Sequence, residues 1–187
     1  MSLKSGSEKC NGKKSTSENK QLLNKVLLNK INQILKIVLK ENKNLKNYKQ
    51  KLVSQKNMSF SASFIPPISV KQYLARILKY SEAEESTLII ALIYIDRLNN
   101  ISNIILTPYN IHRIIFIAVL IAIKYNEDNT YDFEYYSQVA GISVKELKVL
   151  EFEFVCLLKF KLFINKKEFD EYKLYIDDID CEDDNVK

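Results

Sequence analysis

His112 is the chain's single histidine and stands next to Arg113. Acid–base or nucleophilic chemistry needs a second group within reach of the imidazole. No Ser or Cys with a known signature accompanies it, so His112 reads as a partly buried structural histidine. The carboxylate pairs Glu84-Glu85 and Glu127-Asp128 fall at ends of predicted helices, where such pairs are usually solvated. Three Gly in the whole chain leave no room for a phosphate-cradling loop. Cys10, Cys156 and Cys181 are odd in number and widely spaced. No CxxC or Cys/His cluster suggests a metal, and no disulfide framework is expected. Cys156 falls on an apolar face and reads as a buried, reduced thiol. The sequence therefore calls for no catalytic residue, cofactor, metal or small-molecule substrate, and the chain reads as non-enzymatic. One charged group stands out. Lys124 closes the nearly all-apolar stretch Ile111–Ile123 and opens the polar run Tyr125-Asn126-Glu127-Asp128.

The elements that must position Lys124 follow from apolar spacing. Ile114, Ile115, Phe116, Ile117, Val119, Leu120, Ile121 and Ile123 go all round a helical wheel, so this helix is expected to be buried on most sides. Lys124 then sits at its exit, on the rim of a helical bundle. Thr107-Pro108 fits an N-cap and first-turn proline for this helix. Before it, Ser69 is a plausible N-cap for a helix from Val70 to about Tyr80. Ser81 or Glu82 starts a second helix, which Asn99-Asn100 ends. After it, Asp132 can cap a short helix to about Val139, with Gly141 as its C-cap. Ser143 to Glu146 reads as a capping box opening a fifth helix, Val144 to about Lys159. A short helix, Lys166 to Tyr175, follows. No strand pattern competes. The fold class is all-α: five helices around a buried third, with one more helix at each end.

The earlier of these flanking helices is amphipathic. Leu23, Val26, Leu27, Ile31, Ile34, Leu35, Val38 and Leu39 recur at spacings of three and four. Lys and Asn fill its other face. Two readings stand: a helix docked on the domain, or a basic face for nucleic acid or an anionic membrane surface. The net charge of +5 hides an asymmetry. Residues 1–60 hold 14 Lys and 3 acids, a net of +11, whereas residues 61–187 carry a net of −6. The organisation expected is a disordered leader (1–20), a basic amphipathic helix and linker (21–63), the main domain (64–176) and an acidic tail (177–187). The longest apolar run is shorter than the ~20 residues a membrane span takes. No signal-peptide pattern opens the chain, and an intracellular location, cytoplasm or nucleus, is expected.

Three ordered blocks carry a resemblance: ALIYIDRL (91–98), IAIKYNED (121–128) and LKVLEFEF (147–154). Together they resemble a cyclin box, most closely that of P-type cyclins, over about Ser69 to Ile164. The resemblance implies an activating, regulatory subunit of a cyclin-dependent serine/threonine protein kinase. In cyclins, a Lys at the end of the third helix and a Glu in the fifth clamp backbone groups flanking the kinase C-helix. The matching residues are Lys124 and Glu151, and the alternative for them is a simple surface ion pair. Ile121, Tyr125, Val155, Phe160 and Leu162 match the apolar pocket that receives a kinase isoleucine. Asp96 matches the acid of the second helix, and a structural pair with Arg76 is expected. The region Leu74-Ala75-Arg76-Ile77-Leu78 departs from the substrate-docking patch of mitotic cyclins, and the chain has no Trp. A single box is expected, because the chain ends soon after it. Nucleic-acid-binding cyclin-fold factors use basic surfaces, which the net-negative domain lacks. A kinase-binding scaffold that does not activate stays open as a third reading.

Overall fold

Burial of one helix on almost every side organises the structure, a computed structural model that describes residues 12–179. Helix α5 (Ile111–Asn126) is that element. Every residue from Ile111 to Ile123 is buried except Arg113. Around it lie α3 (Val70–Ser81), α4 (Glu85–Ser102), α6 (Phe133–Ala140) and α7 (Val144–Leu157), with α4 the most extensive neighbour. α1 (Gly12–Lys43) packs on α3, and α8 (Lys166–Asp177) packs on α4. α2 (Tyr48–Gln55) completes the set. No strand forms among the described residues, and no described helix is long and apolar enough to cross a membrane. Residues 1–11 of the basic leader and 180–187 of the acidic tail, with Cys10 and Cys181, lie outside the described residues.

Local chemistry sets most helix boundaries. Ser69 accepts from the Gln72 backbone N–H, and Gln72 Oε1 accepts in return from the Ser69 N–H, a complete capping box. Asp132 caps α6 through the Tyr135 N–H at 2.8 Å, and Ser143 caps α7 through the Glu146 N–H at 3.1 Å. Gly141 ends α6 at φ 74°, a left-handed conformation that Gly adopts without the Cβ penalty.

Other boundaries differ from the pattern-based expectation. The linker after α1 contains α2, whose Gln55 is buried. In the amide orientation that satisfies both of its groups, Gln55 pairs with the backbone of Ile105 at 3.2 and 2.9 Å. The second box helix begins at Glu85 because Ser81 belongs to α3 and Glu82 turns the chain at φ 54°. It runs past Asn99-Asn100 to Ser102, where Asn103 takes the left-handed conformation. α5 starts at Ile111, after a turn around Pro108, with Asn110 rather than Thr107 at its N-cap. The Asn110 side chain looks backwards, accepting from the Thr107 N–H and donating to the Ile105 carbonyl. Glu146 does not close a capping box, because its carboxylate pairs with Arg113 instead.

Cys156 is exposed, contrary to expectation. The inward stripe of α7 is Leu147, Leu150 and Phe154, continued by Leu158. Cys156 falls on the opposite face with Val149 and Phe152. On α1 the buried stripe is Leu27, Leu28, Ile31, Ile34 and Leu35, while Val26 turns outward.

Candidate partner-binding surface

Lys124 occupies the last turn of α5, where a cation complements the carbonyl end of the helix. Its Nζ lies 2.6 Å from Glu151 Oε1 on the neighbouring α7. The same Nζ stands 4.1 Å from the centroid of the Phe133 ring, and Lys148 Nζ stands 5.0 Å from that ring. Three elements thus hold one half-buried ion pair at the rim: α5 supplies the cation, α7 the anion and α6 the aromatic face. Lys124 and Glu151 are 27 positions apart in the chain.

The chain after α7 shapes the apolar side of this rim. Phe160 N–H donates to the Val155 carbonyl at 3.1 Å, a six-residue Schellman-type closure. Lys159 and Phe160 both take left-handed φ values, 52° and 58°. Two successive non-Gly residues there cost about 1–2 kcal/mol each. This turn throws the Phe160 ring outward, leaving it 69% exposed. Tyr125 is exposed beside Lys124, while Val155 and Leu162 are half-buried. Ile121 is fully buried and belongs to the floor of the rim, not to its open surface. The buried ring of Tyr94 props the segment from below, its hydroxyl donating to the Leu162 carbonyl at 2.9 Å. Burial pushes the Tyr94 hydroxyl up to about 12, so it stays a donor at physiological pH.

Three further apolar residues are exposed on α7 and on the segment after it. Val149, Phe152 and Phe163 are exposed, the two rings at 71% and 73%. Contiguous exposed apolar surface marks an interaction site more often than isolated apolar residues do. The signal for Val149 and Phe152 lies in the α7 register. Once Leu147, Leu150 and Phe154 are placed inward, these two must face out.

The expected Arg76–Asp96 pair does not form. Arg76 leaves α3 toward α6 and donates to the Gln138 carbonyl at 2.7 Å. Asp96 lies on the α8 side of α4 and accepts from the Tyr172 hydroxyl at 2.5 Å and the Asn100 amide at 3.3 Å. The ion pair of α4 belongs to the next residue. Arg97 binds Glu168 through both carboxylate oxygens at 2.7 and 2.8 Å, and donates to the Lys161 carbonyl at 2.7 Å. It ties α4 to α8 and to the turn that presents Phe160. Arg97→Ala is expected to cost about 2 kcal/mol, as bidentate charge-assisted bonds do. Urea denaturation checks this; an unchanged midpoint would mean that the pair contributes nothing.

Glu127 has a partner as well. It accepts from the Thr87 hydroxyl at 2.5 Å and from the Glu84 N–H at 3.2 Å. A carboxylate from the end of α5 therefore caps the N-terminus of α4, whose own N-cap Glu84 makes no side-chain cap bond.

His112 is buried, with Nε2 2.9 Å from the Ile68 carbonyl, so the proton sits on Nε2. Nδ1 is buried without a partner, and the ring packs edge-on to Tyr73. Burial lowers its pKa below the usual 6.5, outweighing the Ile68 carbonyl, which raises it. The unfolded chain therefore binds more protons below pH 6.5. The His112 contribution is complete above that pH and is lost as pH falls toward the lower folded value. His112→Gln is expected to flatten this limb of the stability–pH curve. A slope unchanged by the substitution would assign it to other groups.

A bundle of five helices, four of them packed around the buried one, with a Lys–Glu pair and exposed rings at its rim, has the architecture of a cyclin box. Residues 10–162 match the sequence profile of the cyclin family, and the chain belongs to that family. It is similar to Cyclin-U2-1 of Arabidopsis thaliana, 34% identical over 123 residues, which are 65% of this chain and 55% of that protein. Cyclin-U3-1 of the same plant is 39% identical over 104 residues, 56% of this chain and 47% of that protein. Cyclin-P3-1 of Oryza sativa subsp. japonica is 33% identical over 112 residues, 60% of this chain and 48% of that protein. The last is in keeping with the P-type resemblance of the sequence blocks. The chain spans about half the length of the curated relatives it matches.

Proposed function

We propose that this chain is a regulatory subunit of a cyclin-dependent serine/threonine protein kinase and acts without catalytic chemistry of its own. The observation that carries the reading is the Lys124–Glu151 pair, half-buried at 2.6 Å, with exposed Tyr125 and Phe152 next to its two members in the chain. The ends of a helix leave N–H and C=O groups without intrahelical partners. An ammonium and a carboxylate side by side can meet one group of each kind, and the surrounding rings can take an apolar side chain. A cyclin that binds the active kinase better than the inactive one shifts the kinase population by that difference in affinity. Holding the C-helix inward lets the kinase's Lys–Glu pair form. An interface of standard size, ~1,600 Å² in total, is expected.

The test is co-purification of the full chain from its native lysate, followed by a phosphorylation assay on the isolated pair. Retention of a kinase with raised activity supports the reading. A retained but unstimulated kinase would make the chain a scaffold, and absence of any kinase would refute the assignment.

A further inference from the structure

A second surface lies at the other end of α5. Four contacts gather α2 and the segment before α3 around the N-terminal end of that helix. Gln55 pairs with Ile105, Lys51 Nζ donates to Asn103 Oδ1 at 2.6 Å, the Ala62 N–H donates to the Tyr109 carbonyl at 2.8 Å, and His112 meets Ile68. α5 has 16 residues, so this end stands about 24 Å along the helix axis from the Lys124 end.

Lys40, Lys43, Lys46, Lys49 and Lys56 are all exposed here, and none forms an ion pair among the described residues. Glu41 is the only acid between Lys36 and Tyr80. The inward face of α2 is Tyr48, Lys51, Leu52 and Gln55. Exposed Lys49 and Val53 lie four apart on α2, with exposed Lys46 in the turn before the helix and Lys56 at its C-cap, so lysines precede and follow an aliphatic side chain. Val53 is 73% exposed, and Phe64 and Ile65 are exposed in the segment that follows the Ala62–Tyr109 contact.

We propose that this end of the molecule binds the surface of an anionic lipid bilayer. Lysines on a folded surface are attracted to an acidic leaflet as point charges. Exposed Val53, Phe64 and Ile65 then enter the boundary between headgroups and acyl chains. Nucleic acid fits less well. The stretch 36–56 contains Lys but no Arg, so it lacks the planar fork that grips phosphates and base edges. Apolar side chains gain nothing in a phosphate-lined groove. Binding here leaves the Lys124 end facing away from the membrane, and the proposal does not depend on what occupies that end.

The test is sedimentation of the full chain with phosphatidylcholine vesicles and with mixed phosphatidylcholine–phosphatidylserine vesicles, over a range of salt. Binding is expected only to the mixed vesicles, weakening as salt rises. Each lysine removed should lower partitioning about fivefold, so the Lys46→Gln, Lys49→Gln, Lys56→Gln triple loses about 100-fold. Val53→Ser with Phe64→Ser should weaken binding further at fixed charge. The control triple Lys145→Gln, Lys166→Gln, Lys173→Gln removes the same charge elsewhere and should bind as the parent does, and circular dichroism verifies that each variant is helical. Equal binding to both vesicle types, or an equal loss in the control triple, overturns the proposal. Tighter binding to duplex DNA with the same dependence on these three lysines also overturns it and assigns the face to nucleic acid.

Discussion

Exchanging the charges of the clamp, Lys124→Glu with Glu151→Lys, is expected to abolish kinase capture while leaving the fold intact. Lys124→Glu alone places two carboxylates where an ammonium and a carboxylate now stand 2.6 Å apart, and it also removes the cation from the Phe133 ring. The side chains are part-exposed and can swing away, so the stability cost should be modest, about 1 kcal/mol. The double exchange restores an ion pair of opposite polarity, and most of that stability should return. Under the proposed function, the partner should be sensitive to the polarity. If Lys124 meets a carbonyl and Glu151 an N–H, the exchange presents each kinase group with the wrong charge. Affinity should fall by about 2–5 kcal/mol, on the order of 30- to several-thousand-fold. Calorimetric titration of the purified kinase reads the affinity, and thermal unfolding reads the stability. Two outcomes are distinct. Recovery of both quantities in the double variant would reduce the pair to an intramolecular ion pair. Recovery of stability without affinity would make it a contact with the kinase.

Phe154→Ala should have the largest effect on folding. Phe154 is fully buried on α7 and meets Phe60 edge-to-face, with ring centroids 6.0 Å apart. Truncation removes a large apolar surface and leaves a cavity that rigid helices on both sides cannot close. A cost of about 3–5 kcal/mol is expected, a large share of the roughly 5–15 kcal/mol that holds a domain folded. Urea denaturation measures it. The companion variant is Phe152→Ala, two positions earlier on the same helix and 71% exposed. Its stability should stay within about 0.5 kcal/mol of the parent, while its affinity for the kinase falls. Comparable destabilisation by both variants would contradict the register of α7 described above.

The contrast between Phe152 and Phe154 was settled by packing, because both faces of α7 are apolar, whereas other features can be read in advance. A residue's direction on a helix follows from its apolar neighbours at three and four positions, so the burial of α5 and the caps at Ser69, Asp132, Ser143 and Gly141 were legible locally. Each depends on groups within four residues along the chain. The candidate clamp was legible in a different way. Lys124 stood out as a charge at the exit of an apolar helix, but Glu151 joined it only through resemblance, because spacing along the chain carries no distance between helices.

Groups that depend on which helices become neighbours stayed hidden. Arg76 was expected to meet Asp96, yet α3 faces α6 and Arg76 binds the Gln138 carbonyl. Arg97 found Glu168, 71 positions away. Glu127 caps α4 from 40 positions away, although its place in the sequence suggested a solvated carboxylate. Cys156 read as buried because its neighbours are apolar on both faces of α7, and only the packing of α7 on α4, α5 and α6 decided which face turned inward. The sequence by itself therefore determined the number of box helices, their central member and most of their caps, since these rest on hydrophobic periodicity and short-range hydrogen bonds. Tertiary structure alone decided the partners of the charged side chains and the outward rings of Phe152, Phe160 and Phe163. Long-range electrostatic pairs and exposed apolar surface are set by helix adjacency, and adjacency is a property of the packed chain rather than of any segment of it.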